Sequence, residues 1–249
     1  MIIRYFSDLH LEFIETENIH NFISQINPGL NEVCVLAGDI GNPYEPNYDT
    51  FMNFINTNFQ KTFIIAGNHE YYNKTKTIEE TNNYLKKYFL KFNNIKFLNN
   101  EIEYYNGYTF IGTTLWSNIK KPRYKINDVH CIPNFDYLKY NLLNQECTAF
   151  LEQALNDNDN CIVITHHVPS DKLIHKKYKT WSMIKYNQWF YCDLEYLINS
   201  KIKCWIYGHT HTPNETIMNN VIFLCNPIGY PDEIMNYNFN KTILLEEIN

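Results

Sequence analysis

This chain of 249 residues contains few arginines, and its cysteines show no spacing typical of a paired motif. Only Arg4 and Arg123 are arginines, while asparagine, isoleucine, lysine and tyrosine are abundant, a bias that indicates an AT-rich genome more than a chemical need. The seven cysteines are odd in number, scattered and without a Cys-x-x-Cys spacing. This pattern favours free thiols in a reducing compartment over a disulfide framework.

Signals for secretion or for a membrane are also lacking. The chain begins at once with a strand-like run and has no apolar signal-peptide core. No apolar run approaches the roughly 18 residues that a membrane span needs. The formal net charge of -6 at pH 7 argues against a general nucleic-acid-binding protein. We therefore expect a cytoplasmic protein with no membrane partner.

The length and the hydrophobic patterning favour an α/β fold. A hydrophobic content of 45% suits one large domain or two small ones, and we expect a single domain over residues 1–249 because the candidate site residues span most of the chain. Strands alternate with helices early and cluster late, which predicts two mixed sheets with helices outside them. Helical periodicity predicts helices over residues 18–26, 48–59, 77–92, 145–155 and 193–198.

The predicted strands are short β-branched or aromatic runs that end in polar turn residues. Residues 95–98 and 109–112 form a candidate antiparallel pair, and Asn106-Gly107 is a turn signal just before the second of these runs. The strands are predicted over residues 2–6, 33–37, 62–66, 95–98, 101–105, 109–112, 161–165, 203–207, 221–224 and 241–246.

Carboxylate, amide and imidazole side chains follow several of these strands. Strand ends are where an α/β sheet presents side chains to a ligand crevice. Each short motif taken alone is also explained as a structural turn, but all of them occur once, in order and at predicted strand ends. Four such groups suggest one metal ion, and seven suggest two ions that share a carboxylate. The candidate ligands are Asp8, His10, Asp39, Asn68, His166, His209 and His211.

One further histidine, His69, is not needed by any ligand count. It directly follows Asn68 in the sequence Gly67-Asn68-His69-Glu70. A pair of metal ions generates hydroxide from a shared water at neutral pH and neutralises charge on phosphoryl oxygens. A histidine just outside the ligand shell can contact the phosphoryl group or protonate the leaving oxygen. These residues therefore predict displacement at phosphorus, with His69 as the catalytic acid.

Two long irregular stretches, residues 116–140 and 171–186, carry much of the positive charge. They contain Arg123, Lys176 and Lys177. Long loops in a compact domain are commonly lids or binding loops. We interpret them as a rim that attracts an anionic substrate, and solvated surface loops are the alternative.

The order D-x-H, G-D, G-N-H-E, H-H and G-H-x-H, which spans Asp8 to His211, resembles the calcineurin-like metallophosphoesterase superfamily. The tail at residues 225–231 is similar to one branch of small bacterial-type members. The resemblance implies a four-layer αββα sandwich, in which two mixed sheets lie between helices and a dinuclear metal site lies at the strand ends. It also implies one metal ion on Asp8, His10, Asp39 and His211, and a second on Asp39, Asn68, His166 and His209, with Asp39 bridging.

The adjacent histidines of the H-H motif leave a choice of ligand. His166 is preferred because it directly follows the predicted strand, where the family's ligand lies. His167 is then expected to support the site or to point toward the substrate, and we include it with the candidate substrate-binding residues.

Departures from the family's patterns narrow the function. Gly38-Asp39 is not followed by the Asp-Arg pair of serine/threonine protein phosphatases, which argues against membership of that branch. We expect a metal-dependent phosphoester hydrolase, favouring a phosphodiesterase on a small or nucleotide-like anion. Mixed N and O ligands fit Mn, Fe, Zn or Ni, and we favour Mn. The alternatives are a nuclease on single-stranded or short nucleic acid, and a non-catalytic protein-binding scaffold.

Overall fold

The computed structural model describes residues 1–120, 126–233 and 237–246. Over these residues the chain forms two mixed β-sheets. The strands are β1 (Ile2–Phe6), β2 (Val33–Ala37), β3 (Lys61–Ile65), β4 (Ile95–Phe97), β5 (Glu101–Tyr105), β6 (Tyr108–Thr113), β7 (Cys161–Thr165), β8 (Ile202–Ile206), β9 (Asn214–Met218), β10 (Val221–Cys225) and β11 (Thr242–Leu244).

The third and fifth helices begin at residues whose side chains cap them. Thr77 accepts a hydrogen bond from the backbone of Glu80, whose side chain accepts one from the backbone of Thr77, so the third helix starts with a capping box. Asp136 accepts from two backbone N–H groups at the start of the fifth. In the described part of the chain, no helix has both the length and the apolar character to cross a bilayer. The helices are α1 (Ile19–Ile23), α2 (Pro46–Asn58), α3 (Ile78–Phe89), α4 (Asp128–Cys131) and α5 (Tyr137–Asp157).

Each sheet has a parallel centre and at least one antiparallel edge strand. The first sheet has the order β11-β1-β2-β3-β4, in which only β11 runs antiparallel to its neighbour. The second has the order β5-β6-β7-β8-β10-β9, and its two outermost strands, β5 and β9, run antiparallel to their neighbours. Parallel strands are covered on both faces, which explains their continuous apolar runs.

The two sheets pack face to face and the helices cover their outer faces. Successive side chains of a strand point to opposite faces. Thus Val35 belongs to the apolar cluster between the sheets, whereas Leu36 belongs to the cluster that includes the apolar residues of the helices. Phe63 of β3 stacks on Phe110 of β6 with ring centroids 3.7 Å apart. The predicted fold class, two mixed sheets between helices, is confirmed.

The carboxyl ends of the central strands of both sheets meet at one edge. The backbone N–H of Ser7, after β1, donates to the carbonyl oxygen of Asn226, after β10, at 3.2 Å. Ile228 N–H donates back to the Ser7 carbonyl oxygen at 3.2 Å. These bonds join the first sheet to the second where the polar motifs emerge.

Three sequence predictions about the fold were wrong. Residues 95–98 and 109–112 do not pair, because β4 pairs with β3 in the first sheet and β6 pairs with β5 in the second. The helix predicted over residues 193–198 is a 3-10 turn, Glu195–Leu197. The helix predicted to begin at residue 145 begins at Tyr137, so α5 takes up the end of the stretch 116–140 that was predicted to be irregular.

Candidate metal centre

All seven candidate ligand side chains lie at the joined edge of the sheets. Each follows the carboxyl end of β1, β2, β3, β7 or β8 and is buried. Five of them occupy the left-handed backbone region, which costs on the order of 1 kcal/mol or more per non-glycine residue and is concentrated at functional sites. The five are Asp8 (φ 52°), His10 (φ 48°), Asp39 (φ 53°), His209 (φ 71°) and His211 (φ 41°).

A first group of ligand atoms is formed by Asp8, His10 and His211, which lie within 4.8 Å of one another. The Nδ1 atoms of His10 and His211 lie 3.2 Å from Glu12 Oε1 and 2.6 Å from Glu233 Oε2, so each Nδ1 must donate its proton. In the neutral rings that bind a metal ion the two Nε2 atoms are acceptors, and they face each other at 3.0 Å. A divalent metal ion would satisfy both acceptors, and this set of ligand atoms fits one.

A second group is formed by Asp39, His166 and His209, joined by the amide of Asn68. The Nδ1–H of His166 donates to the carbonyl oxygen of Ala37 at 2.9 Å, so its Nε2 is the atom that a neutral ring offers to a metal ion. This Nε2 lies 3.0 Å from Asn68 Oδ1, 3.2 Å from Asp39 Oδ2 and 3.2 Å from His209 Nδ1. Because nitrogen and oxygen ligand atoms again converge, this group also fits a cation.

One oxygen of Asp39 lies between the two groups. Its Oδ2 is 3.2 Å from His166 Nε2 and 3.9 Å from His10 Nε2, while its Oδ1 accepts from the backbone N–H of His69 at 2.8 Å. Burial acts to raise the pKa of Asp39, but the neighbouring histidines, His166 first, hold it well below its usual range. The carboxylate is therefore ionised and is suited to bridging two cations.

A third set of contacts holds His69. Its Nδ1 lies 2.8 Å from Glu12 Oε1 and its Nε2 lies 3.1 Å from the hydroxyl of Tyr230. Burial acts to lower the pKa of His69, but the carboxylates of Asp39 and Glu12 raise it above its usual value. The same carboxylate oxygen of Glu12 contacts His10, so it links a candidate ligand to the candidate acid.

Buried carboxylates behind the centre hold its loops, and the sequence predictions gave them no role. Glu70 accepts backbone hydrogen bonds from Asp39 (3.0 Å), Ile40 (2.7 Å) and Gly67 (2.6 Å), which ties the loop after β2 to the loop after β3. Asp128 accepts from the amide of Asn68 at 2.9 Å, which turns the amide oxygen toward the centre. The missed residues that contact the site are Glu12, Glu70, Asp128, Tyr230 and Glu233.

The remaining predicted site residues lie outside the two ligand groups. His167 is buried, its Nε2 is 2.8 Å from the hydroxyl of Tyr140, and its ring lies 4.1 Å from that of His209. Lys176 and Lys177 form an exposed 3-10 turn. Burial acts to raise the pKa of Glu233, but its bond to His211 first, and the charge of Lys177 last, lower it. Arg123 lies outside the described residues.

A family model described as calcineurin-like phosphoesterase matches residues 1–213. The chain belongs to this family. It is 35% identical over 263 residues to the uncharacterised protein L509 of Acanthamoeba polyphaga mimivirus, with 95% of this chain and 94% of that protein covered. Family membership and the converging ligand atoms identify it as a metal-dependent phosphoesterase.

Solved structures show the same fold. Phosphopantetheinyl hydrolase (PptH) from Mycobacterium tuberculosis is similar with a TM-score of 0.70 and 15% identity, over 92% of this chain and 89% of that chain. TT1561 of Thermus thermophilus is similar with a TM-score of 0.57 and 11% identity, over 91% of this chain and 88% of that chain. At these identities the likeness extends to the fold alone.

Proposed function

We propose that the protein is a two-metal phosphodiesterase that acts on a small or nucleotide-like phosphoester. The observation that carries this proposal is the position of Asp39 Oδ2 between two groups of candidate ligand atoms, with the backbone N–H of His69 bonded to the other oxygen of the same carboxylate. One metal ion would be held by Asp8, His10, Asp39 and His211, and the other by Asp39, Asn68, His166 and His209.

The bound metal ions would supply a nucleophile at neutral pH and neutralise charge on the phosphoryl oxygens. The oxygens of Asp8, Asp39 and Asn68 favour Mn²⁺ within the set that imidazole also accepts. His167 lies behind His209 with its Nε2 beside Tyr140, so we assign it a role in positioning His209.

His69 is the residue that we propose to protonate the leaving oxygen. Its Nδ1 faces the Glu12 carboxylate, which fixes the ring and leaves Nε2 as the atom that can deliver a proton. The Glu12 carboxylate, 2.8 Å from Nδ1, favours the protonated ring that a general acid requires. Lys176 and Lys177 would attract the anionic substrate to this edge.

A nuclease acting on short single strands is the second candidate. Trp181 is 94% exposed and lies in the lysine-containing stretch 171–186, and an exposed aromatic ring among cations suits stacking on a base. Binding to an oligonucleotide that weakens steeply with salt would favour this candidate over the small-molecule phosphodiesterase.

The test is hydrolysis of bis-p-nitrophenyl phosphate beside p-nitrophenyl phosphate, with Mn²⁺ and with chelator. We expect faster cleavage of the diester and no cleavage with chelator. His69→Ala should retain its metal and lose about 10²-fold or more of turnover, because general-acid catalysis is worth about that much. His20→Ala, at an exposed histidine, is the control. Unchanged turnover in His69→Ala would remove the role assigned to His69.

A further inference from the structure

The contacts of His69 with the described residues leave one edge of its ring for a substrate. Tyr72 stacks on one face with centroids 4.2 Å apart and an interplanar angle of 29°. Glu12 lies at Nδ1 and the backbone continues into a 3-10 turn, so His69 is just 6% exposed. A leaving group served by Nε2 therefore has to lie on the side of the Tyr230 hydroxyl, which is 3.1 Å from that atom.

An exposed aromatic ring stands on this same side. Phe13 is 51% exposed, although its neighbour in the same turn, Leu11, is fully buried. The centroid of the Phe13 ring lies 5.9 Å from that of His10, 6.3 Å from that of His69 and 5.5 Å from that of Tyr230. Phe13 and Tyr230 meet edge to face. The Phe13 ring therefore lies at the solvent-exposed side of the candidate metal centre and is not part of the hydrophobic core.

The backbone at both aromatic residues is hydrogen-bonded to residues of the centre. Phe13 N–H donates to the carbonyl oxygen of His10 at 2.9 Å. Tyr230 N–H donates to Glu233 Oε2 at 2.9 Å, and the preceding Gly229 N–H donates to the carbonyl oxygen of Asp8 at 2.8 Å. Because these partners include candidate ligands and a carboxylate bonded to His211, the backbone that carries each ring is fixed relative to the centre before any substrate arrives.

We propose that an aromatic slot beside the half-exposed ring of Phe13, which Tyr230 supports edge to face, binds a planar aromatic ring carried by the substrate's leaving group. The slot makes aryl or nucleoside-type esters preferred over aliphatic ones. This inference rests on the proposed phosphoesterase function and names the substrate class of the same centre. Aromatic rings prefer offset or edge-to-face partners with centroids about 4.5–7 Å apart, and the open face of Phe13 offers such a partner.

The experiment measures competitive inhibition of the Mn²⁺-loaded protein by phenylphosphonate and by methylphosphonate, with bis-p-nitrophenyl phosphate as the substrate. The wild-type protein should bind phenylphosphonate more tightly. Phe13→Ala should weaken phenylphosphonate about fivefold to tenfold and leave methylphosphonate nearly unchanged, since an aromatic pair contributes about that factor. Phe13→Trp should restore the preference. Tyr104→Ala, at a 66% exposed aromatic residue of β5, is the matched control.

Three outcomes would overturn the slot. They are no preference for the phenyl compound in the wild type, an equal loss for both compounds in Phe13→Ala, and an equal loss in Tyr104→Ala. Each leaves the proposed function standing if the wild type still cleaves the diester. If wild-type protein with Mn²⁺ neither cleaves the diester nor binds either phosphonate, the proposed function fails and the slot fails with it.

Discussion

Replacing Glu70 by glutamine should lower the free energy of unfolding without removing a candidate metal ligand. The Glu70 carboxylate is fully buried and accepts three short backbone hydrogen bonds. Glutamine keeps one acceptor oxygen, so its NH₂ group would face at least one buried backbone N–H. Burial raises the pKa of Glu70 to about 7, so the loss is measured at pH 8.5, where the carboxylate is ionised. One unsatisfied buried donor costs about 1–3 kcal/mol, and loss of the charge weakens the remaining bonds by about 0.5–1 kcal/mol each. We expect a loss of about 3 kcal/mol in the free energy of unfolding.

Thermal unfolding in chelator measures this loss separately from metal binding. For a chain of this length, about 3 kcal/mol corresponds to a fall of about 6–12 °C in Tm. Glu79→Gln is the control, because Glu79 is an exposed residue of α3 whose ion pair with Lys139 contributes less than about 1 kcal/mol. A fall of less than about 3 °C in Glu70→Gln would refute the reasoning, since it would mean that the loops after β2 and β3 do not depend on this carboxylate.

Three further predictions concern the centre and its rim. Asp39→Asn should bind less than half an equivalent of metal by mass spectrometry, because Asp39 Oδ2 lies between both groups of ligand atoms. Asp49→Asn in α2 is the control, and two equivalents of metal retained by Asp39→Asn would contradict the bridging role. Gly67→Ala should lower metal content and activity together, because a Cβ at this position would lie 2.2 Å from Asp39 Oδ1. Full metal content in this variant would show that the loop can shift enough to accommodate the Cβ. Replacing Lys176 and Lys177 by glutamate should raise KM for bis-p-nitrophenyl phosphate about threefold to tenfold at low salt and leave kcat nearly unchanged. An unchanged KM would show that these lysines are solvated surface residues with no role in attracting the substrate.

Most strands that the sequence predicted to the residue have continuous apolar runs; β5 is the exception, and it ends at the Asn106-Gly107 turn. The bounds of β1, β2 and β7 agree with the prediction because each is buried along nearly its whole length and ends at a polar turn. By contrast, β9 was not predicted, because its residues alternate between exposed and half-buried and form the edge of the second sheet. The first half of α5 was missed because Leu138 and Leu142 are exposed, which obscures helical periodicity.

The candidate ligands were predictable because each closes or follows a strand, and the residues that hold them were not. Glu12 lies in a 3-10 turn, and Glu233 lies in a turn 22 positions from its partner His211. Neither belongs to a motif, and their roles depend on contacts that arise only when the two sheets meet. Glu70 is part of the quoted G-N-H-E sequence, but only the fold shows that its carboxylate points to the backbone and away from the ligand groups.

The junction of the two sheets also sets when the centre can form during synthesis. His209 N–H donates to both carboxylate oxygens of Asp8, which lies 201 positions earlier, and β1 pairs with β11 beyond it. The ribosome adds about 5–20 residues each second, so the first ligands wait at least about ten seconds for their partners. A chain interrupted before His209 can assemble neither group of ligand atoms, so metal acquisition would distinguish finished chains from truncated ones.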